Sequence, residues 1–161
     1  MALNFAQLTD AFASIFSEQP AQSVLVAQKL ASAYTTYASA GLFGASAPVL
    51  LPSNTLALQV LLAQAIAVPQ VGNPALFGAA WAQGLLAFWA TPPPPVVGAQ
   101  VGIVTVIVGA AVVAVPITSA CANLAATPRV TATLIATAVH AATLTVTATV
   151  APPPGTILTL L

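Results

Sequence analysis

From residue 30 to residue 128 the chain carries no formally charged side chain. Asp10, Glu18, Lys29 and Arg129 are the only four ionised residues, so charged residues are 2% of the chain against the roughly 25% of an average domain. A soluble monomer of 161 residues normally covers itself with mixed Lys, Arg, Asp and Glu. Here the surface must be made from Ser, Thr, Asn, Gln, backbone and apolar groups. Two situations permit that: a lipid surrounding, or burial of most of the surface against other protein subunits. Two cations cannot neutralise a phosphate track, so electrostatic nucleic-acid binding is excluded. With 59% hydrophobic residues and a mean hydropathy of +1.01, disorder is excluded as well.

Reactive side chains are scarce. Cys121 is alone, which rules out an intrachain disulfide framework, and His140 is the one imidazole. One Cys, one His and two carboxylates near the N-terminus do not assemble a zinc-type ligand set, so no metal and no cofactor are expected. A nucleophilic triad needs a base and an orienting acid; His140 lies among Ala, Thr and Val, with Thr137, Thr143 and Cys121 as conceivable neighbours. The plainer reading is a helix-surface or interface histidine. Asp10 and Glu18 are better explained by helix dipole and capping roles than as a catalytic carboxylate pair. "GLFGASAP" lacks the Lys-Ser or Lys-Thr of a phosphate loop, and "VGNPALFG" reads as a helix start. The chain is therefore expected not to be an enzyme. "MALNFAQLTDAF" has no basic leader region, and Asp10 interrupts its apolar run, so no secretory signal is expected.

Periodicity predicts a helical first half. Phe5, Leu8, Phe12, Ile15 and Phe16 form one helix stripe, with Asp10 and Ser14 opposite. A turn is expected at Ser17–Pro20, then a second helix from Glu18 to Ala40 with Val26, Leu30, Ala33, Tyr34 and Tyr37 inward. Ser53 or Asn54 caps a third helix that ends before Pro69. Asn73 followed by Pro74 starts a fourth, to Ala90, whose stripe is Phe77, Trp81, Leu85 and Phe88. Trp89 lies off that stripe and is the expected interface anchor. "TPPPP" forbids helix beyond Thr91 and marks the best internal boundary.

Composition then shifts to β-branched residues. Strands are expected at Val101–Val108 and Ala111–Val115, with a turn at Gly109–Ala110 and a short helical piece at Ile117–Ala125. "TPRVTATLIATAVHAA" reads as a helix after a Thr-Pro start. "TLTVTATV" alternates strictly, with Thr143, Thr145, Thr147 and Thr149 on one side and Leu144, Val146, Ala148 and Val150 on the other. The threonine side is the second candidate interface. The expected fold class is α+β in a single domain spanning 1–161: a helical subregion, 1–91, packed with a small mixed β/α subregion, 92–161. The proline clusters act as rigid connectors, and the tail "TILTLL" docks on the body.

Val96–Ile117 is uncharged and long enough to span a bilayer, so a small integral membrane protein, such as a holin-like pore-former, is the alternative. Against it stand Gln100, Gly102, Gly109 and Pro116 within that stretch, the polar faces of the flanking helices, and the lack of Lys or Arg to orient the chain. Three segments, "FAQLTDAFASIF", "FGAAWAQGLLAFWATPPPPVV" and "HAATLTVTATVAPPPGT", carry a resemblance of style to tailed-bacteriophage virion proteins, which are Ala-rich and charge-poor with a helical front and a β-rich back. That resemblance implies a structural subunit of the tail, baseplate, neck or head. It would be assembled in the host cytoplasm into the virion, with other virion proteins or copies of itself as partners.

Overall fold

The computed structural model describes residues 3–18, 22–43, 47–67, 73–90, 96–97, 100–106, 110–123, 125–150 and 156–160, and of residues 67, 96–97, 100–106, 110–111, 148–150 and 156–159 the backbone alone. Its helices are α1 (Phe5–Glu18), α2 (Ser23–Ser39), α3 (Pro52–Ala67), α4 (Pro74–Ala90), α5 (Ala110–Ala122) and α6 (Pro128–Thr143). Each packs on the next in sequence, and α6 returns to α1, so the helices close a ring. Aromatic rings fill the centre. The Phe12 and Trp81 centroids are 5.6 Å apart, Tyr34 lies edge-on to Trp81 at 6.4 Å, and Tyr34 meets Phe88 at 4.9 Å. These edge-to-face spacings suit the ring quadrupoles and join α1, α2 and α4 across the bundle.

This is a helical bundle, and the α+β expectation is overturned. Among the residues described with their side chains, 80% are helical and only two short stretches are extended. The error is largest at 110–122. There a β-branched run, expected to give a turn and the strand Ala111–Val115, is the helix α5. Val113, Ile117 and Ala120 are each no more than 2% exposed, and their spacing of four and three is helical. Burial of that stripe against α4 outweighs the modest β-preference of valine. Pro116 sits inside α5, on its exposed side.

Backbone ladders run beside α2 and α4. Antiparallel pairing links β1 (Pro48–Val49), β2 (Val96–Val97), β3 (Gln100–Val106), β4 (Val146–Val150) and β5 (Thr156–Thr159) in sequence order. The expected strand at 101–108 survives as β3. The expected Thr143–Val150 strand begins only at Val146, because Thr143 is the last residue of α6 and Leu144 caps it. The tail does dock: Leu160 is fully buried, donates its N–H to the Val146 carbonyl at 3.1 Å and bridges to Phe43. The proline-rich segments 91–95 and 151–155 lie outside the described residues.

Local chemistry explains the helix ends. At α4, the Asn73 side chain accepts from Leu76 N–H at 3.3 Å ahead of Pro74, and at α6 Thr127 accepts from Val130 N–H at 3.4 Å ahead of Pro128. Both are the cap-then-proline pattern legible in the sequence. At α3, Asn54 does not cap from outside. It is the third helical residue and reaches back to accept from Leu51 N–H at 2.8 Å, while its amide donates to the Phe88 carbonyl of α4 at 2.7 Å. Ser17 was expected in a turn; instead α1 continues to Glu18, and the Ser17 hydroxyl donates to the Ala13 carbonyl. The buried face of α2 is Ala27, Leu30, Ala31, Tyr34, Tyr37 and Ala38, so Val26 and Ala33 give way to Ala27 and Ala31.

The α4–α5 contact depends on a missing side chain. A Cβ at Gly78 would stand 2.4 Å from the Ala114 carbonyl oxygen and 2.5 Å from Thr118 Oγ1. The obstacle is backbone, which cannot swing aside as a side-chain tip could. Gly78→Ala is therefore expected to destabilise the chain, by about 1–3 kcal/mol from overpacking, despite alanine's better helix propensity. Thermal unfolding checks this as a lower midpoint; an unchanged or raised midpoint would show that the two helices separate freely.

Candidate functional site

All four ionised side chains are used up in two ion pairs on one side of the bundle. Arg129 Nη1 of α6 meets Asp10 Oδ1 of α1 at 2.7 Å, and Lys29 of α2 pairs with Glu18 of α1. The hydrogen bond from Lys29, with a second from Ser14, holds the Glu18 carboxyl below its usual value. Helices α3, α4 and α5 carry no charge at all. They expose aliphatic groups instead: Leu56 and Val60 on α3, Leu76 on α4, and Val112 and Val115 on α5, between 41% and 62% exposed. On α6, Val130 and Leu134 continue this surface. Between α5 and α6 runs a groove of about 410 Å³ whose walls include Val112, Pro116, Leu134, Ala138 and Ala141.

The sequence-derived interface residues divide. Trp89, expected at a subunit contact, is 1% exposed and faces inward. Thr143 is also 1% exposed, on α6 rather than on a strand. Thr145 is exposed, with its hydroxyl donating to the Ala142 carbonyl at 2.7 Å, and Thr147 is half-buried. The Thr149 side chain lies outside the described ones. The threonine row thus does not form one face, because its first member belongs to a helix.

Trp89 and Thr143 are instead two links of a buried hydrogen-bond chain. Trp89 Nε1–H donates to Tyr34 Oη at 2.9 Å, Tyr34 and Thr143 are 3.0 Å apart, and Thr143 Oγ1 donates to the Val139 carbonyl at 2.7 Å. An indole is a donor only, and the Thr143 proton is committed to Val139. Tyr34 therefore donates to Thr143, and every proton runs one way from α4 through α2 to α6. Burial pushes the Tyr34 phenol up to about 12, against the opposing effect of its hydrogen bonds with Thr143 and Trp89. One turn further along α2, the Tyr37 hydroxyl hydrogen-bonds His140 Nδ1 of α6. Phe5 of α1 packs on the imidazole, centroids 5.4 Å apart. Burial raises the Tyr37 phenol and lowers His140.

Nothing in this arrangement activates a nucleophile. Burial pushes the Cys121 thiol up to about 11, where the reactive thiolate is not populated near neutral pH. Among the described residues no three metal-ligating side chains come together. Tyr34 as a polar hub was missed because its position in the apolar stripe of α2 marks it only as core. The nearest sequence signal was Trp89 itself, a buried donor that needs an acceptor.

Tyr34→Phe strands the Trp89 N–H in the core and removes the donor to Thr143. We expect a loss of about 1–3 kcal/mol with the helical content retained. Denaturant unfolding followed by circular dichroism reads this directly, and a variant as stable as the parent would show that the chain of hydrogen bonds contributes nothing.

Compared with family models, with curated proteins and with solved structures, the chain matches none.

Proposed function

We propose that the chain is a structural subunit of a viral particle of the tailed-bacteriophage kind, burying uncharged surface against other subunits in the tail, baseplate, neck or head. The observation that carries this reading is the segregation of charge. Both ion pairs involve α1, and α3, α4 and α5 present aliphatic groups with no ionised residue among them. Contiguous exposed apolar surface marks a contact site. An interface free of ions also avoids the cost of desolvating them. The style of the sequence, Ala-rich and charge-poor, supports the viral setting. No helix among the described residues is long and apolar enough to cross a membrane.

Density-gradient fractionation of a lysate from the source culture tests this. The chain is expected to co-sediment with nucleic-acid-filled particles, and to stay with them between ~0.1 and ~1 M NaCl, because screening acts on charge pairs that this contact lacks. Recovery in washed membranes, released only by detergent, would overturn the proposal, as would salt-dependent dissociation. Leu134→Lys places a charge in the α5–α6 groove at a residue 44% exposed. It is expected to leave the thermal midpoint nearly unchanged, since such surface substitutions cost within about 0.5 kcal/mol, and to block incorporation into the particle.

A further inference from the structure

We propose that α6 is the dimerisation helix of this chain: its outer stripe packs antiparallel on the same stripe of a second copy, beside the groove with α5. This rests on the reading of the uncharged surface as a subunit contact, though not on the viral setting. The inward face of α6 includes Ala132, Ile135, Ala136, Val139 and Ala142. A second set faces outward at steps of four, three, four and three: Val130, Leu134, Thr137, Ala141 and Leu144. Val130, Leu134 and Leu144 are 46%, 44% and 38% exposed, and Thr137 and Ala141 are exposed with them. Leu144, the C-cap, keeps helical backbone angles (φ −64°, ψ −15°), so the stripe runs unbroken to it. Alternating steps of three and four give the narrow seam of two helices packed side by side. A helix lying on a core shows a broader stripe, and α6 has that on its other side.

Size and charge both select a reversed copy as the occupant. From Leu134 to Leu144 the stripe reads large, small, small, large, and it reads the same backwards. An antiparallel copy therefore sets Leu134 beside Leu144 of the second copy and Thr137 beside its Ala141. The small central pair lets the backbones approach, and leucines close both ends. Such a contact is isologous and complete at two copies. In a parallel pair the two Arg129 side chains would sit together at one end. In the antiparallel pair they stand about 30 Å apart at 1.5 Å of rise per residue, well beyond the ~10 Å over which salt screens charge. The flanking positions, where ionised residues would select a different partner, hold Thr131, Thr133, Ala138 and His140, the last engaged by Tyr37. A helix lying on lipid needs a broad apolar face edged by several cations. Along α6 there is one, Arg129, and Asp10 holds it.

The stripe can leave water at small cost. Thr137 Oγ1 donates to the Thr133 carbonyl at 2.7 Å, and Thr133 Oγ1 to the Arg129 carbonyl at 2.8 Å. Neither hydroxyl proton is stranded when the face is covered. Leu134, Thr137 and Ala141 are also the α6 wall of the groove of about 410 Å³, and Val112, Pro116 and Ser119 of α5 stand opposite. A helix laid along the stripe thus has two helices to pack on, and the two-fold relation fills the groove of each copy with α6 of the other. No ionised group lines that groove, so none is desolvated there.

Sedimentation equilibrium of the purified full chain, from about 1 to about 200 µM, tests this. The mass is expected to rise from 16.0 kDa to twice that value and to stop there. The transition should be the same at ~0.1 and ~1 M NaCl, since the contact has no charge pair to screen. Leu134→Glu and Leu144→Lys should each keep the helical content and weaken self-association at least about tenfold, because each sets a charge against leucine. Mixed, they should associate more tightly than either alone. One end of the seam then pairs Glu with Lys, the other keeps its two leucines, and this recovered association should weaken with salt. Parallel helices would hold positions 134 and 144 about 15 Å apart and give no recovery. A chain that stays monomeric throughout, uptake by phosphatidylcholine vesicles in place of self-association, or a mixture no tighter than its components would each overturn the proposal. If either variant does not fold, the mass of the unmodified chain and its lowering in Leu134→Ala decide it. A purified dimer that fails to co-sediment with particles would sink the viral setting and leave the dimer standing. Co-sedimentation of a chain that is monomeric when purified would do the reverse.

Discussion

The hydroxyl of Tyr34 sets the relative positions of α2, α4 and α6. In a bundle whose helices are apolar on most sides, hydrophobic contact alone rewards many rotations nearly equally, because burying one valine face is worth about as much as burying another. A hydrogen bond in the core does not permit such exchange. Trp89, Tyr34, Thr143 and the Val139 carbonyl satisfy one another only at one register of the three helices. Asn54 plays the same part between α3 and α4 by capping the Leu51 N–H while holding the Phe88 carbonyl. Polar groups that are fully paired in a low-dielectric core select one packing among those that the apolar groups would accept.

Close approach supplies the second constraint. Gly78 lets the backbone of α4 come against the Ala114 carbonyl of α5, and Thr118 adds a hydrogen bond to the Pro74 carbonyl at 3.3 Å. The β-branched side chains of α5 then divide, Val113 and Ile117 inward and Val112 and Val115 outward. The outward pair is what makes α5 unlike the surface helix of a soluble monomer. It stands next to the uncharged groove with α6, while the ion pairs lie along α1. Ionised groups lie where α1 meets its two neighbours, and exposed aliphatic groups cover α3, α4 and α5, with Val24 and Leu25 exposed on α2 as well. The proposed role as an assembly subunit rests on that uncharged surface.

The legible parts of the fold were those with local signals. The stripe of α1 has a 3.6-residue period, the Asn73-Pro74 start of α4 and the Thr127-Pro128 start of α6 each place a cap ahead of a proline, and the helices stand where those signals put them. α5 was illegible because nearly every position in it is apolar; its helical period of Val113, Ile117 and Ala120 is visible only once the outward valines are known to be exposed. Two of the candidate interface residues turn inward for a related reason. Trp89 and Thr143 were assigned to a surface by their place in a one-dimensional pattern, and each is an inward hydrogen-bond partner of one tyrosine more than a hundred or some fifty residues away in the chain.

By itself the sequence determined that ionised groups cannot cover this protein, and where several helices begin. Those properties follow from composition and from contacts within a turn or two. The tertiary structure decided the fold class, which residues of the all-apolar helices face inward, and that the four charges pair around α1. These depend on contacts between residues distant in sequence, and a segment that is hydrophobic on every side contains no record of which side its neighbours will take.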